Sequence, residues 1–150
     1  MRAIAMAAAV VATALVITPG RAFAATWDGQ MASQTVCGNT VITGAERTIT
    51  TSSQLGTVVG KVELRYSTNP NCRTVWARIT SKVVASNQLG GFIARNSDGA
   101  SYQCSEFGWS DNLQANYCLT PMLNDAGVTS YAKGAVLYQG AYYFGQTTNY

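Results

Sequence analysis

Short stretches in which apolar and polar residues alternate recur along most of the chain, and turn residues separate them. Val, Thr, Tyr and Ser are frequent in these stretches, and this composition is typical of antiparallel strands. The pattern therefore predicts an all-β domain, either a small antiparallel barrel or a sandwich. The predicted strands are Arg47–Ser52, Val58–Tyr66, Thr74–Lys82, Gly91–Arg95, Ser101–Cys104, Gln114–Leu119, Thr129–Tyr138 and Ala141–Thr147.

The segments between these strands carry turn signals. Asn96–Gly99 and Gln139–Gly140 are predicted to be hairpin turns. Thr120–Asp125 is interpreted as the start of a single helical turn that ends at Gly127, because Thr120 suits the N-cap position and a proline follows it at the first helical position. Residues 25–34 are polar and show no periodic pattern, so they are predicted to be a lead-in segment.

The stretch Val62–Ile79 concentrates charge in a chain of which only 11% is charged. If Glu63 lies opposite Arg78, the aliphatic side chains of the two strands share one face. The same register sets Arg65 opposite Trp76 on the other face. A shifted register would set two arginines against each other. The sequence therefore predicts the first register.

The N-terminus has the pattern of a secretory signal peptide. Arg2 is a positive head, Ala3–Ile17 is an apolar run, and Ala22–Ala24 is a small-residue cleavage pattern. The apolar run is shorter than the roughly 20 residues that span a bilayer, so we expect no membrane anchor after processing. The predicted organisation is a signal peptide, residues 1–24, followed by one secreted domain, residues 25–150.

Composition narrows the classes of function. Cleavage would remove two of the ten basic residues and lower the formal net charge from +3 to +1, which argues against nucleic-acid binding. The chain contains no histidine, so Ser-His and Cys-His pairs and histidine-ligated metals are excluded. We expect no cofactor and no metal.

The four cysteines, Cys37, Cys72, Cys104 and Cys118, all lie in the predicted secreted part. An even number of cysteines in an oxidising compartment predicts two disulfides, with three possible connectivities. Proximity in the sequence favours Cys104–Cys118 and leaves Cys37–Cys72. Zinc is the competing interpretation, but the chain has neither a CxxC pair nor histidine.

The run Glu63–Ser67, followed by Cys72 and Trp76–Ile79, resembles the central signature of a domain-of-unknown-function family of high-GC Gram-positive bacteria. The resemblance covers most of the predicted secreted domain. Members of that family occur as small secreted proteins and as modules of membrane-tethered proteins with a helix-turn-helix. Segments that resemble its other landmarks are Asp28–Gln30, Cys37, Ala45–Thr48 and Thr120–Asp125. The resemblance implies secretion and an all-β fold, and it implies no particular activity.

The chain departs from this family at two positions, Trp27 and Lys133, where relatives tend to carry cysteines. The joint absence implies that those two cysteines bond each other in relatives and that Cys37–Cys72 is the retained bridge. Cys104–Cys118 is then a local addition that staples the segment between Gly99 and Leu119.

Two groups of residues are candidate binding sites. Trp76 with Arg65 and Arg78 is a candidate platform for an anionic or sugar polymer, unless neighbouring segments cover that face. The C-terminal tyrosines form the second group, because a tyrosine ring is broad and its hydroxyl can hydrogen-bond to sugars or proteins. The alternative is that these rings pack in the core and at the sheet edge. The tyrosines concerned are Tyr138, Tyr142 and Tyr143.

The predicted function is that of a non-catalytic extracellular or cell-envelope binding module, whose partner is a cell-envelope polymer or a secreted protein. A secreted inhibitor of a protease or lytic enzyme, presenting the loop between Cys104 and Cys118, is the alternative. A carboxylate-dependent hydrolase is the third class, since glycoside cleavage needs two suitably spaced acids. Its candidate residues are Glu46, Glu63, Glu106 and Asp111.

Overall fold

The computed structural model describes residues 27–52 and 56–150, which form ten β-strands and three short 3-10 helices. The predicted signal peptide lies outside these residues. The strands are β1 (Val41–Thr50), β2 (Val58–Ser67), β3 (Thr74–Ser81), β4 (Leu89–Arg95), β5 (Ser101–Gln103), β6 (Glu106–Ser110), β7 (Ala115–Leu119), β8 (Leu123–Asn124), β9 (Ser130–Tyr138) and β10 (Ala141–Gln146). The 3-10 helices are Ala32–Gln34, Val36–Gly38 and Ser86–Gln88. Across the two described ranges, no helix has the length and apolar character needed to cross a membrane.

The strands form two antiparallel sheets that pack face to face. The larger sheet has the order β1-β2-β3-β7-β6, and β8 also pairs with β3; the smaller sheet has the order β10-β9-β4-β5. The all-β prediction is confirmed, and of its two proposed architectures the structure forms the sandwich.

The core lies between the two sheets. Val62 and Ile79 of the larger sheet are fully buried, as are Ile93 and Val136 of the smaller one, and all four belong to one hydrophobic cluster. The sheets approach closely at Gly134, where an added Cβ would lie 2.9 Å from atoms of both Val62 and Ile79. Since the inner faces build the core, any binding surface of the sheets must lie on their outer faces or edges.

The predicted pairing of β2 with β3 is confirmed. Glu63 is paired with Arg78, Arg65 with Trp76, and Val62 with Ile79. The apolar pairs therefore face the core, and the charged residues and the tryptophan share the outer face. The β9–β10 hairpin also has the predicted two-residue turn, in which Gln139 and Gly140 both adopt the positive φ that a type I′ turn requires.

The helical turn predicted at Thr120–Asp125 is wrong, because this segment is extended and β8 pairs with β3. The side chain of Thr120 does not cap a helix; its Oγ1 accepts a hydrogen bond from the backbone N–H of Ala77 at 3.0 Å. Met122 and Leu123 are both fully buried, but in two different hydrophobic clusters. Consecutive side chains reach opposite sides only in an extended chain, so burial of both overrides the capping signal.

The segment predicted to be a lead-in is part of the folded structure. Residues 27–40, which we call the N-terminal cover, lie on the outer face of the larger sheet and contain two of the 3-10 helices. Ala32 and Cys37 of the cover pack with Trp76 and Met122 in a second, smaller hydrophobic cluster. Few apolar residues build this cluster, which explains why the segment shows no periodic pattern.

The two disulfides join the predicted pairs and anchor different parts of the fold. Cys37–Cys72 ties the N-terminal cover to the loop between β2 and β3. Cys104 follows β5 of the smaller sheet and its N–H bonds to the carbonyl of Gly91, whereas Cys118 belongs to β7 of the larger sheet. The Cys104–Cys118 bridge therefore links the two sheets.

Candidate functional site

Four side chains from β2 and β3 lie together at the centre of the outer face of the larger sheet. Glu63 and Arg65 belong to β2, and their partners Arg78 and Trp76 belong to β3. The register makes the two arginines diagonal neighbours across the strand pair. Diagonal side chains are about 7 to 8 Å apart at the backbone, within reach of long side chains. Both guanidinium groups lie close to the same carboxylate, because Glu63 is 3.6 Å from Arg65 and 2.7 Å from Arg78.

Glu63 is the acidic centre of this cluster and is only 2% exposed. Arg78 forms two hydrogen bonds to its carboxylate, at 2.7 and 3.1 Å, and Lys61 and Arg65 lie 3.2 and 3.6 Å from Oε1. Burial alone raises the pKa of Glu63, but the hydrogen bonds and charge of Arg78, with the charge of Lys61, outweigh it. The pKa is held below the ordinary 4.5, so the carboxylate stays ionised.

Arg65 is less fully satisfied than Arg78. Its Nη1 donates to Oγ1 of Thr43 on β1, and Glu63 contributes a long ion pair. Burial and the positive charge of Arg78 lower the pKa of Arg65, and the charge of Glu63 opposes that effect. A second anionic group beside Arg65 would therefore relieve unfavourable electrostatic energy.

The two arginines and Trp76 form part of the lining of a cleft of about 310 Å³, which we call the arginine cleft. Trp76 is only 5% exposed, because the N-terminal cover packs over it. The other lining residues are Ala32, Ser33, Gly38 and Val41 on one side, and Ser110, Leu113, Tyr117 and Leu119 on the other. The cleft thus combines a buried ring with two partly exposed guanidinium groups.

Glu106 of β6 contacts one residue on each side of the arginine cleft. Its carboxylate accepts hydrogen bonds from Ser33 Oγ at 2.7 Å and from Tyr117 OH at 3.4 Å. Burial and the negative charge of Glu106 raise the pKa of Tyr117. Both hydroxyl donors belong to residues that line the cleft, so Glu106 helps to position its wall.

The outer face of the smaller sheet carries a second candidate surface. Tyr142 and Phe144 of β10 are 63% and 61% exposed, and their rings stack at a centroid distance of 6.3 Å and an angle of 25°. Lys133 of β9 places its Nζ 5.6 Å from the centroid of the Phe144 ring. Both rings belong to the edge strand, so solvent and ligands can reach them.

A shallow groove of about 250 Å³ lies beside this pair of rings. Phe144 and Phe92 line it together with Ala135 and the polar side chains of Lys133 and Gln103. Phe92 makes an edge-to-face contact with Tyr131, at a centroid distance of 6.0 Å. We call Tyr142, Phe144, Phe92, Lys133 and Gln103 the aromatic face.

The structure separates the six predicted binding residues into three groups. Arg65, Trp76 and Arg78 come together in the arginine cleft. Tyr142 lies on the aromatic face, on the outer side of the other sheet. The remaining two, Tyr138 and Tyr143, pack against the main hydrophobic core.

The candidate carboxylates are not grouped as a set of four. Glu46 forms a 3.3 Å ion pair with Lys61 and is largely exposed, whereas Glu63 is buried among three cations. Asp111 accepts a hydrogen bond from Trp109 Nε1 in the β6–β7 turn region. Each of these acids has a local structural partner.

Two functionally relevant features were missed from the sequence. Strand β6 exposes Phe107 and Trp109, at 47% and 51%, on one side of an edge strand. The sequence signal that could have predicted this strand is the alternation of aromatic with small or polar residues in Glu106–Ser110. Asp28, within a segment that resembles a family landmark, accepts hydrogen bonds from Arg95 and from the N–H of Asn124 and so fastens the N-terminal cover.

Comparison with known proteins gives two matches. A family model described as protein of unknown function (DUF2690) matches residues 25–133. The uncharacterized protein YjfA of Bacillus subtilis (strain 168) is 31% identical over 121 residues, which represent 77% of this chain and 74% of YjfA. No solved structure matches significantly. The resemblance to a family of unknown function is thus confirmed, whereas its distribution among high-GC Gram-positive bacteria stays a prediction.

Proposed function

The chain belongs to the DUF2690 family of proteins of unknown function, and from its geometry we propose that it is a non-catalytic module that binds an extracellular or cell-envelope polysaccharide. The observation that carries the proposal is the aromatic face. Two stacked rings, Tyr142 and Phe144, are each more than 60% exposed, and Phe144 also lines a groove that contains Lys133 and Gln103.

The exposure of Tyr142 and Phe144 indicates a role in ligand binding rather than in packing of the hydrophobic core. Rings that pack in a core lose most of their exposed surface, and both of these keep well over half. Exposed apolar rings on an edge strand also favour aggregation, so they are a disadvantage to the protein unless they bind a ligand. A clustered pair of such rings therefore supports a binding role.

The groove has the chemistry that a sugar ring requires. A pyranose has an apolar face of C–H groups, which stacks on aromatic rings, and a rim of hydroxyls, which needs polar partners. The rings of Phe144 and Phe92 supply the first kind of contact, and Lys133 and Gln103 supply the second. The groove is open to solvent, which suits a polymer better than a small enclosed ligand.

Several observations support an extracellular setting and a role without catalysis. Two disulfides are typical of proteins in oxidising compartments, and the N-terminal sequence has the pattern of a signal peptide. The absence of histidine from the sequence removes the commonest general acid and base. We therefore propose that the protein is exported and acts by holding its ligand.

Co-sedimentation with purified bacterial cell wall and with insoluble polysaccharides tests the proposal. The wild-type protein should pellet with at least one of these polymers. The double substitution Tyr142→Ala and Phe144→Ala should weaken that binding about tenfold or more, as loss of central aromatic contacts does in other interfaces. Because both residues are exposed, the thermal unfolding midpoint should change little.

The matched control is the double substitution Phe107→Ala and Trp109→Ala, which removes two exposed rings from the edge of the other sheet. This variant should bind the polysaccharide like the wild type. Equal loss in both double variants would indicate nonspecific adhesion through exposed rings. Full binding by the Tyr142 and Phe144 double variant would refute the proposed surface.

A secreted inhibitor is the second candidate function, and the β6–β7 hairpin is the observation that favours it. The Cys104–Cys118 disulfide fixes the base of this hairpin, and Phe107 and Trp109 are exposed on its free edge. A rigid segment that presents aromatic anchors loses little conformational entropy on binding a protein. Inhibition of a secreted protease or lytic enzyme that is abolished in the Phe107 and Trp109 double variant would establish this function instead.

A further inference from the structure

We propose that the arginine cleft is a second binding site, separate from the aromatic face, that takes one phosphate or carboxylate group of a ligand. The site consists of Arg65 and Arg78, which lie diagonally across β2 and β3, with Trp76 in the cleft beside them. This inference does not depend on the proposed polysaccharide binding, because the two surfaces lie on opposite sides of the sandwich.

Hydrogen-bonding capacity is the first argument. A guanidinium group carries five N–H donors arranged as a planar fork, which matches the oxygens of phosphate and carboxylate. Arg78 uses Nε and Nη2 on Glu63, and Arg65 uses Nη1 on Thr43. Within residues 27–52 and 56–150, neither guanidinium makes another side-chain hydrogen bond. The remaining donors are therefore available to an oxyanion in the cleft.

Charge is the second argument. Lys61, Arg65 and Arg78 surround a single buried carboxylate, that of Glu63. Glu46 adds a second negative charge, but it lies at the Lys61 end and is well exposed to solvent. Glu106 contributes a third negative charge at the cleft, but its carboxylate already accepts hydrogen bonds from Ser33 and Tyr117. The positive charge without a close second counter-ion therefore lies at the Arg65 and Arg78 end. An added anion would balance that charge in a partly desolvated place, where charge interactions are stronger than at an open surface.

Shape is the third argument. The volume of about 310 Å³ is at the lower end of the range for small-molecule sites. One wall is the N-terminal cover, which the Cys37–Cys72 disulfide and the packing of Ala32 on Trp76 hold in place. The opposite wall belongs to β7 and the turn before it. The cleft is thus formed without a ligand, and binding requires little ordering of the protein.

Nuclear magnetic resonance of the oxidised, ¹⁵N-labelled protein tests the inference. Inorganic phosphate and galacturonate are added separately at constant ionic strength, with sodium chloride and glucose as controls. The indole N–H resonance of Trp76 should shift saturably with at least one oxyanion and with neither control. Stronger binding of phosphate would identify a phosphate-bearing ligand, and stronger binding of galacturonate would identify an acidic sugar.

Substitutions of Arg65 locate the site. Arg65→Gln should weaken the affinity roughly tenfold to hundredfold, which is the effect of removing a charged hydrogen-bond partner. Arg65→Lys keeps the charge but loses the planar fork, so its affinity should be intermediate. Lys82→Gln, which removes an exposed positive charge outside the lining of the cleft, should leave the affinity unchanged.

Folding of each variant is checked by its thermal unfolding midpoint and by the absence of free thiols. A shift of the Trp76 resonance that sodium chloride reproduces would reflect ionic strength alone and would overturn the inference. Unchanged oxyanion affinity in folded Arg65→Gln would overturn it as well. Neither result bears on the aromatic face, which is tested by co-sedimentation.

Discussion

Glu63 offers the sharpest test of how the outer face of the larger sheet is held together. Its carboxylate is almost fully buried and lies between Lys61, Arg65 and Arg78. Glu63→Gln keeps the size of the side chain and one carbonyl oxygen, but it removes the negative charge. The substitution therefore leaves three cations together without a buried counter-ion.

The structure sets the size of the expected effect. Removing one partner of a buried ion pair costs about 3 to 5 kcal/mol, because the remaining charge is desolvated and unpaired. Here the side chains of Arg65 and Arg78 retain 17% and 21% exposure and that of Lys61 retains 39%, so water compensates in part. We expect a loss of about 3 kcal/mol at pH 7, which lowers the unfolding midpoint by roughly 10 °C.

Thermal and urea unfolding of Glu63→Gln and wild type, measured from pH 3 to pH 8, gives the magnitude and its origin. The pKa of Glu63 in the folded protein is lower than the ordinary 4.5. Its contribution is therefore fully present at neutral pH and is lost as the pH falls below about 4.5. The difference between the two proteins should therefore shrink as the pH falls below 4.5.

A second substitution separates charge from packing. In the Glu63→Gln background, Arg65→Gln removes one of the cations that now repel each other, so it should cost less there than in the wild type. The two effects should differ by about 1 kcal/mol. A loss below about 1 kcal/mol for Glu63→Gln, or a loss that is the same at pH 3 and pH 7, would refute the electrostatic account.

Two further predictions concern other parts of the fold. Burial raises the pKa of Asp125 to about 6, against a hydrogen bond from Ser130, so the contribution of Asp125 to stability should fall as the pH rises from 4 to 6. Asp125→Asn should remove that fall and gain about 2 kcal/mol at pH 7 in urea unfolding, and an unchanged pH profile would contradict this. Gly44→Ala would place a Cβ 2.7 Å from the ring of Tyr150, so it should cost about 1 kcal/mol in thermal unfolding. The cost should vanish in a Tyr150→Gly background.

The parts of the fold that were predicted correctly rest on local periodicity and on pairwise chemistry. The β2–β3 register follows from the match of Glu63 with Arg78, because only that register separates apolar pairs from charged ones. The β9–β10 hairpin follows from the residues of its turn, Gln139 and Gly140. In both cases the information lies within about 20 residues of sequence, so long-range packing is not needed to read it.

The errors have the opposite character. The Thr120–Asp125 segment has a good helix-start signal, but burial of both Met122 and Leu123 between distant elements requires an extended chain. Polar and aromatic residues alternate along strand β6, as in an amphipathic strand, but its two aromatic rings, Phe107 and Trp109, are exposed instead of buried. Local propensity is a weak guide where tertiary contacts decide the conformation.

The candidate sites show why alternation along a strand cannot by itself identify a binding surface. Trp76 and Tyr142 both point away from the main core, as alternation indicates, yet Trp76 is 5% exposed and Tyr142 is 63% exposed. The difference comes from the N-terminal cover, whose small set of apolar residues packs on the larger sheet and not on the smaller one. Covering the larger sheet turns its outer face into a cleft that suits a single charged group, whereas the uncovered sheet keeps an open row of rings that suits a polymer. A polar segment tethered by one disulfide thus decides which chemistry each face can offer.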